Sequence, residues 1–212
     1  MGLPEQSQID AGYAFTKVLA WMETASLGIR AHFRPPVSVD ALTHYRQVFG
    51  QPLPDSLVAM LSVADGNDDD GDFFLHNLLG VEEIIAIQTV QEQTAESFRR
   101  AGLDCDRWVR CPEPGVVSRK FWKPGWVPFT ADDGDSGFAV DMSPGPFGTS
   151  GQVITYGPDP AVRTVIAPSL TEFFELISAR LELGSVLVDP CTGAVSLCTP
   201  AGSSNLVESL MR

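Results

Sequence analysis

The chain has 212 residues, with 27 acidic against 14 basic side chains and a formal net charge of −13. That balance excludes a general duplex-binding surface, which needs dense cations to displace counterions from phosphate, and it disfavours anionic membranes. Hydrophobic residues make up 44 % and charged residues 19 %, the composition of a globular chain long enough to bury a core without staples.

The first apolar periodicity covers residues 13 to 32. Phe15, Val18, Leu19, Met22, Ala25 and Ile29 recur at three- and four-residue steps and predict a helix, ended by Arg34-Pro35-Pro36. Ser38 is placed to cap a second helix with Leu42, Tyr45, Val48 and Phe49 on one face. Pro54 suits the first turn of a third, short helix carrying Leu57, Met60, Leu61 and Ala64.

Asp65-Gly66-Asn67 stops that helix, and Asp68 to Asp72 form an acidic loop. Phe73-Phe74-Leu75 reads as a short strand. Val81 to Arg100 is the longest helical stretch. Arg99 and Arg100 sit at its negative dipole end, with Gly102 following as its stop. The span from Gln47 to Phe98 holds ten acids and no Lys or Arg. The span from Arg99 to Lys123 holds seven bases and three acids, and it reads as a connector into Trp126.

From Trp122 to Pro168 the chain turns rich in Gly, Pro and short apolar runs. Residues 126–129, 137–142, 151–156 and 162–167 read as strands. Ser169-Leu170-Thr171-Glu172 is a capping box that opens a helix closed by Gly184. Residues 185–199 read as a hairpin and Ser203 to Arg212 as a short helix. Helices, then strands, then a helix predict an α+β fold with a mostly antiparallel sheet.

Catalytic signatures are weak. The acidic loop fails as a calcium loop in both registers: from Asp65 the sixth and twelfth positions are Asp70 and His76, and from Asp68 the sixth is Phe73. Asp132, Asp133, Asp135 and Asp141 have no spacing that selects a glycosidase pair. The three histidines, His32, His44 and His76, fall in no H-E-x-x-H, and neither G-x-S-x-G nor a phosphate-cradling Gly loop occurs. Cys105, Cys111, Cys191 and Cys198 lack metal-site or redox spacing and read as reduced thiols. The N-terminus lacks the basic start and apolar run of a signal peptide, and no apolar stretch is long enough to span a bilayer. A cytoplasmic chain without cofactor or metal, binding neither nucleic acid nor membrane, is expected.

Two segments carry a family pattern. The first is Leu53-Pro54-Asp55-Ser56-Leu57, then Leu61, then Asp65-Gly66. The second runs Trp126-Val127-Pro128-Phe129 through Asp132-Asp133-Gly134-Asp135 to Phe138 and Asp141, then Gly151-Gln152-Val153-Ile154 and Ser169-Leu170-Thr171-Glu172-Phe173-Phe174. In order and spacing these resemble the SUKH superfamily, the Smi/Knr-type domain.

The resemblance implies a single compact α+β domain over residues 38–183, its mostly antiparallel central sheet flanked by helices. Residues 1–37 would be a helical extension, and 184–212 an appended hairpin and short helix. Leu53, Pro54, Gly66, Trp126, Pro128, Asp141, Gly151 and Ser169 would be structural parts of the motif. The family implies protein binding without catalysis. Its bacterial members resemble immunity proteins that neutralise a cognate toxin, and its fungal members regulate cell-wall synthesis. The leading expectation is an immunity protein that occludes the active site of a basic toxin, possibly a nuclease. Asp65, Asp68, Asp69, Asp70 and Asp72 would steer that partner, with Asp132, Asp133 and Asp135 next. The alternative is a regulatory or scaffold module of the Smi/Knr type with no toxin partner.

Overall fold

The computed structural model describes residues 6–25, 33–68, 73–133, 136–158, 161–189 and 194–198, and positions 206 and 210; at 6–10 and 25 only the backbone is described. Four helices precede most of the strands: α1 (Gln6–Ala25), α2 (Val39–Phe49), α3 (Asp55–Leu61) and α4 (Val81–Arg100). A two-residue strand β1 (Asn77–Leu78) lies between α3 and α4. After α4 come β2 (Trp126–Pro128), β3 (Thr130–Ala131), β4 (Gly137–Asp141), β5 (Gln152–Tyr156) and β6 (Val165–Ala167). Then follow α5 (Leu170–Glu182) and the pair β7 (Val186–Val188) and β8 (Val195–Leu197). The fold is α+β. Its central sheet has the order β2-β4-β5-β6, antiparallel throughout, and β1 pairs β3 as β7 pairs β8.

Alternation along the strands serves two cores, because both faces of the sheet are covered. Val127, Phe129, Phe138, Val140 and Val153 face the main core against α1, α3 and α5. Its centre is aromatic: Phe15, Phe73, Phe129, Phe138, Phe173 and Phe174 are buried and meet mostly edge to face. Trp126, Ala139, Ile154 and Tyr156 point the other way, into a second core with Val117 and Trp122, against which Ile87 and Ala95 of α4 pack.

Local signals explain the helix ends. Ser38 Oγ accepts the Ala41 amide at 3.1 Å, and Gly50 (φ 70°) ends α2 in the left-handed region. Ser169 Oγ accepts the Glu172 amide at 3.2 Å. The Glu172 carboxylate accepts from the Ser169 hydroxyl, also at 3.2 Å, where the capping-box reading had it reaching the backbone. Residues 26–32, including Ile29 and His32, lie outside the described residues, as do the 190–193 turn with Cys191 and most of 203–212. Leu206 and Leu210, four residues apart, are helical and buried in the main core.

The expected strand at Phe73-Phe74-Leu75 is a tight turn instead. The Phe73 amide donates to the His76 carbonyl at 2.8 Å and the His76 amide returns to Phe73 at 3.1 Å. Phe74 (φ 54°) and Leu75 (φ 65°) both adopt left-handed backbone, the pattern of a two-residue hairpin turn. Burial of Phe73 and Phe74 holds this unfavourable turn in place. Leu75 is half exposed. Leu75→Gly is therefore expected to raise stability by about 0.5 kcal/mol, since relief of left-handed strain outweighs a half-exposed side chain. Urea denaturation checks the sign.

Candidate functional site

The acidic residues expected to bind a partner divide between two segments. The β1–β3 pairing, Asn77 opposite Ala131, together with the bond from the Asn67 amide to the Leu78 carbonyl, sets those segments beside each other. Asp68 follows Asn67 on the first segment, and Asp132 and Asp133 follow β3 on the second. Asp69, Asp70, Asp72 and Asp135 lie outside the described residues. Asp132 Oδ1 accepts the Ser136 amide at 2.9 Å, and Asp133 is exposed. Between the segments, burial pushes the His76 imidazole down in pKa against the pull of Asp132.

Asp65 has an internal role. Its Oδ1 accepts the Val81 amide at 2.9 Å, at the N-terminus of α4, where a carboxylate satisfies an orphan donor. Its carbonyl accepts Arg34 Nε at 2.7 Å. The Arg34 guanidinium also grips both oxygens of Glu83, at 2.5 and 2.7 Å. Glu83 Oε2 in turn accepts the Gly80 amide at 3.0 Å. Burial raises the Asp65 carboxyl, with Val81 and Arg34 opposing. Gly66 (φ 78°) is needed here, because a Cβ on it would lie 2.4 Å from the Gly80 nitrogen.

The remaining motif residues occupy the framework. Leu53 is buried, and the Pro54 carbonyl accepts the Leu57 and Val58 amides to start α3. Pro128 ends β2 opposite Ala139. Gly151 (φ 92°) turns the chain into β5, and its amide donates to the Asp141 carbonyl at 2.8 Å. Asp141 is fully buried. Its Oδ1 accepts the Ser143 amide at 2.9 Å and its Oδ2 accepts Gln152 Nε2 at 3.0 Å. The Trp126 indole N–H adds a weaker pull on that carboxylate from outside strict hydrogen-bond geometry. Gln152 completes the network by accepting the Thr149 amide and donating to the Val116 carbonyl.

The basic stretch after α4, read from sequence as a connector, walls a groove of about 1200 Å³. A 3-10 turn (Cys105–Trp108) sets Asp106 to accept both Lys120 Nζ and the Phe121 amide at 2.7 Å. Burial raises that carboxyl, but the two donors outweigh it and hold it below the usual carboxylate range. Arg119 donates to the carbonyls of Val109 (2.7 Å) and Arg107 (3.1 Å). Lys123 Nζ donates to Ser118 Oγ at 2.8 Å and to the Ser143 carbonyl.

Arg163 underlies this wall and was not singled out from sequence. It is 1 % exposed. Its guanidinium donates to the carbonyls of Gly157 (3.0 Å) and Phe121 (2.9 Å) and lies 5.6 Å from the Trp126 ring centre. Burial brings its pKa down to about 10, so it stays charged at neutral pH. The available signal was a lone Arg in the apolar run Val162-Arg163-Thr164-Val165.

Comparison with known proteins places this fold. The profile of the SMI1/KNR4 family (SUKH-1) matches residues 36–176. The chain belongs to the SMI1/KNR4 family. It is 33 % identical over 147 residues to the Schizosaccharomyces pombe cell wall biosynthesis/cell cycle regulator smi1, covering 65 % of this chain and 29 % of that protein. It is 33 % identical over 84 residues to a Neurospora crassa glucan synthesis regulatory protein, covering 40 % of this chain and 16 % of the relative. The Saccharomyces cerevisiae cell wall assembly regulator SMI1 is 23 % identical over 202 residues, which cover 80 % of this chain and 40 % of the relative. The chain thus spans well under half the length of these SMI1/KNR4 relatives.

These names overturn the expected immunity protein and antitoxin, and with them the cognate basic toxin as partner. The charge argument misled because an acidic surface steers any cationic partner, and the SUKH fold is common to both branches. No helix among the described residues is long and apolar enough to cross a membrane.

Proposed function

We propose that this chain is a non-catalytic, protein-binding regulatory module acting from the cytoplasm on the control of cell-wall or glucan synthesis. The supporting observation is the family match together with relatives named for wall and glucan regulation. In this reading residues 38–183 form the recognition module, 1–37 and 184–212 are appended to it, and α1 packs into its core. The paired acidic segments at Asp68, Asp132 and Asp133 offer one contact surface, steering cationic segments of partners.

The test is a chimera. The full 212-residue chain replaces the matched segment of the S. pombe relative. Growth of the resulting strain is scored under inhibition of glucan synthesis. Restored growth is expected. If the chimera accumulates normally but fails where the reinserted native segment rescues, the regulatory reading is wrong.

A further inference from the structure

We propose that the basic groove behind α4 binds an extended acidic peptide segment of a partner protein. The inference goes beyond the regulatory reading, since it depends on groove chemistry and not on which pathway the chain serves.

Charge is the first argument. In a chain of net charge −13, this groove is lined by five bases (Arg99, Arg110, Arg119, Lys120 and Lys123) and two acids (Asp104 and Asp106). Lys120 is neutralised by Asp106 and Arg99 by Glu96. Of the other three bases, Lys123 lies in the field of the buried Asp141 carboxylate, while Arg110 and Arg119 form no ion pair among the described residues. Arg119 and Lys123 spend their donors on carbonyl and hydroxyl oxygens, which fix their heads without cancelling their charge. Arg110 is exposed, and its guanidinium makes no hydrogen bond or ion pair to the described residues. Buried Arg163 adds a further positive charge, in the field of Asp106 but in no ion pair among the described residues, and its field reaches Cys111 in the groove wall. At Arg119 a ligand carboxylate meets positive charge that is already held in place, so little ordering cost is added there, while exposed Arg110 is free to turn toward the ligand.

Shape is the second argument. A volume of about 1200 Å³ exceeds the usual span of small-molecule sites, roughly 300–1,000 Å³. Across Trp122 and Pro124 the groove continues into a second cleft of about 580 Å³ along α4. Val109, Val117 and Trp122 give the groove a rigid apolar floor, with Trp122 held edge-on by Trp126 and Tyr156 at 6.0 and 5.8 Å. An extended chain with acidic residues over Arg110 and Arg119 and an apolar residue over Trp122 matches both. Nucleic acid does not, because the continuing cleft sets Glu92 and Glu96 against Arg99 and Arg100 and adds no net positive charge, which suits uncharged residues of a peptide but not an unbroken run of phosphates.

The experiment uses the full chain and a fluorescein-labelled peptide alternating glutamate and leucine. Controls are the same peptide with glutamine for glutamate and a labelled single-stranded oligoribonucleotide. Fluorescence anisotropy at low salt is expected to show binding of the glutamate peptide alone. Arg110→Glu, an exposed change that breaks no internal bond, is expected to weaken it about tenfold. Asp133→Lys, on the second acidic segment, leaves it unchanged. Equal binding of the glutamine peptide, indifference to Arg110→Glu, or tighter binding of the oligoribonucleotide each overturns the proposal.

Discussion

Asp141→Ala is expected to destabilise the protein by about 3–4 kcal/mol, the cost of stranding buried donors in a dry site. Removing the carboxylate leaves the Ser143 amide without an acceptor and Gln152 Nε2 with the Val116 carbonyl alone, and opens a hole at a position with no solvent access. Gln152 also fixes Thr149 and Val116, so the loss spreads to the loop between β4 and β5 and to the groove wall. Asp141→Asn keeps the volume and the Ser143 bond but turns an amide donor toward Gln152, so it costs about half as much. The two variants also differ in pH response. Burial raises the Asp141 carboxyl above its ordinary value, with Gln152 and Ser143 opposing. An acid raised in the folded state gives stability that is complete below its unfolded pKa, about 4, and is lost as pH rises through the folded value. The stability of the wild type relative to Asp141→Asn should therefore fall as pH climbs above 4. Urea unfolding over a pH series reads this directly, and a constant difference would remove the linkage.

Much of the fold was legible because its signals are local. Ser38, Pro54 and the Val81–Arg100 periodicity marked helices where the structure has them, and the alternating runs after Trp126 became the central sheet. Phe73-Phe74-Leu75 was misread because its conformation is imposed by burial against Phe15 and Phe174. No residue in that run favours positive φ. Asp65 was read as a surface charge, yet it caps α4, since a carboxylate sixteen residues from the amide it serves leaves no local trace.

The groove was hidden for a related reason. Its bases were visible as a cluster, but a connector and a binding wall have the same composition. What separates them is tertiary. Hydrogen bonds from Arg119, Lys123 and Arg163 to carbonyls hold the wall open against the sheet. The acidic stretch before Arg99 and the basic wall after it are thus two parts of one charge asymmetry along the chain.

Arg163 links that asymmetry to stability. Arg163→Ala is expected to cost about 3 kcal/mol, as two opposing effects combine. Removing a desolvated cation, whose pKa burial has brought to about 10, relieves a penalty. Against this, the Phe121 and Gly157 carbonyls lose their donors and a cavity opens beside Trp126. Arg163→Met fills most of the cavity, so it should cost about half as much while still leaving both carbonyls unpaired. Native-state hydrogen exchange then distinguishes anchoring from mere filling. In Arg163→Met, protection at the Arg110 and Phe121 amides should fall more than in the β4–β5 ladder, because Arg163 ties the groove wall to the sheet edge. Uniform loss of protection across both regions would make Arg163 a packing residue only. A variant with native stability and unchanged exchange would leave the guanidinium no role in holding the groove.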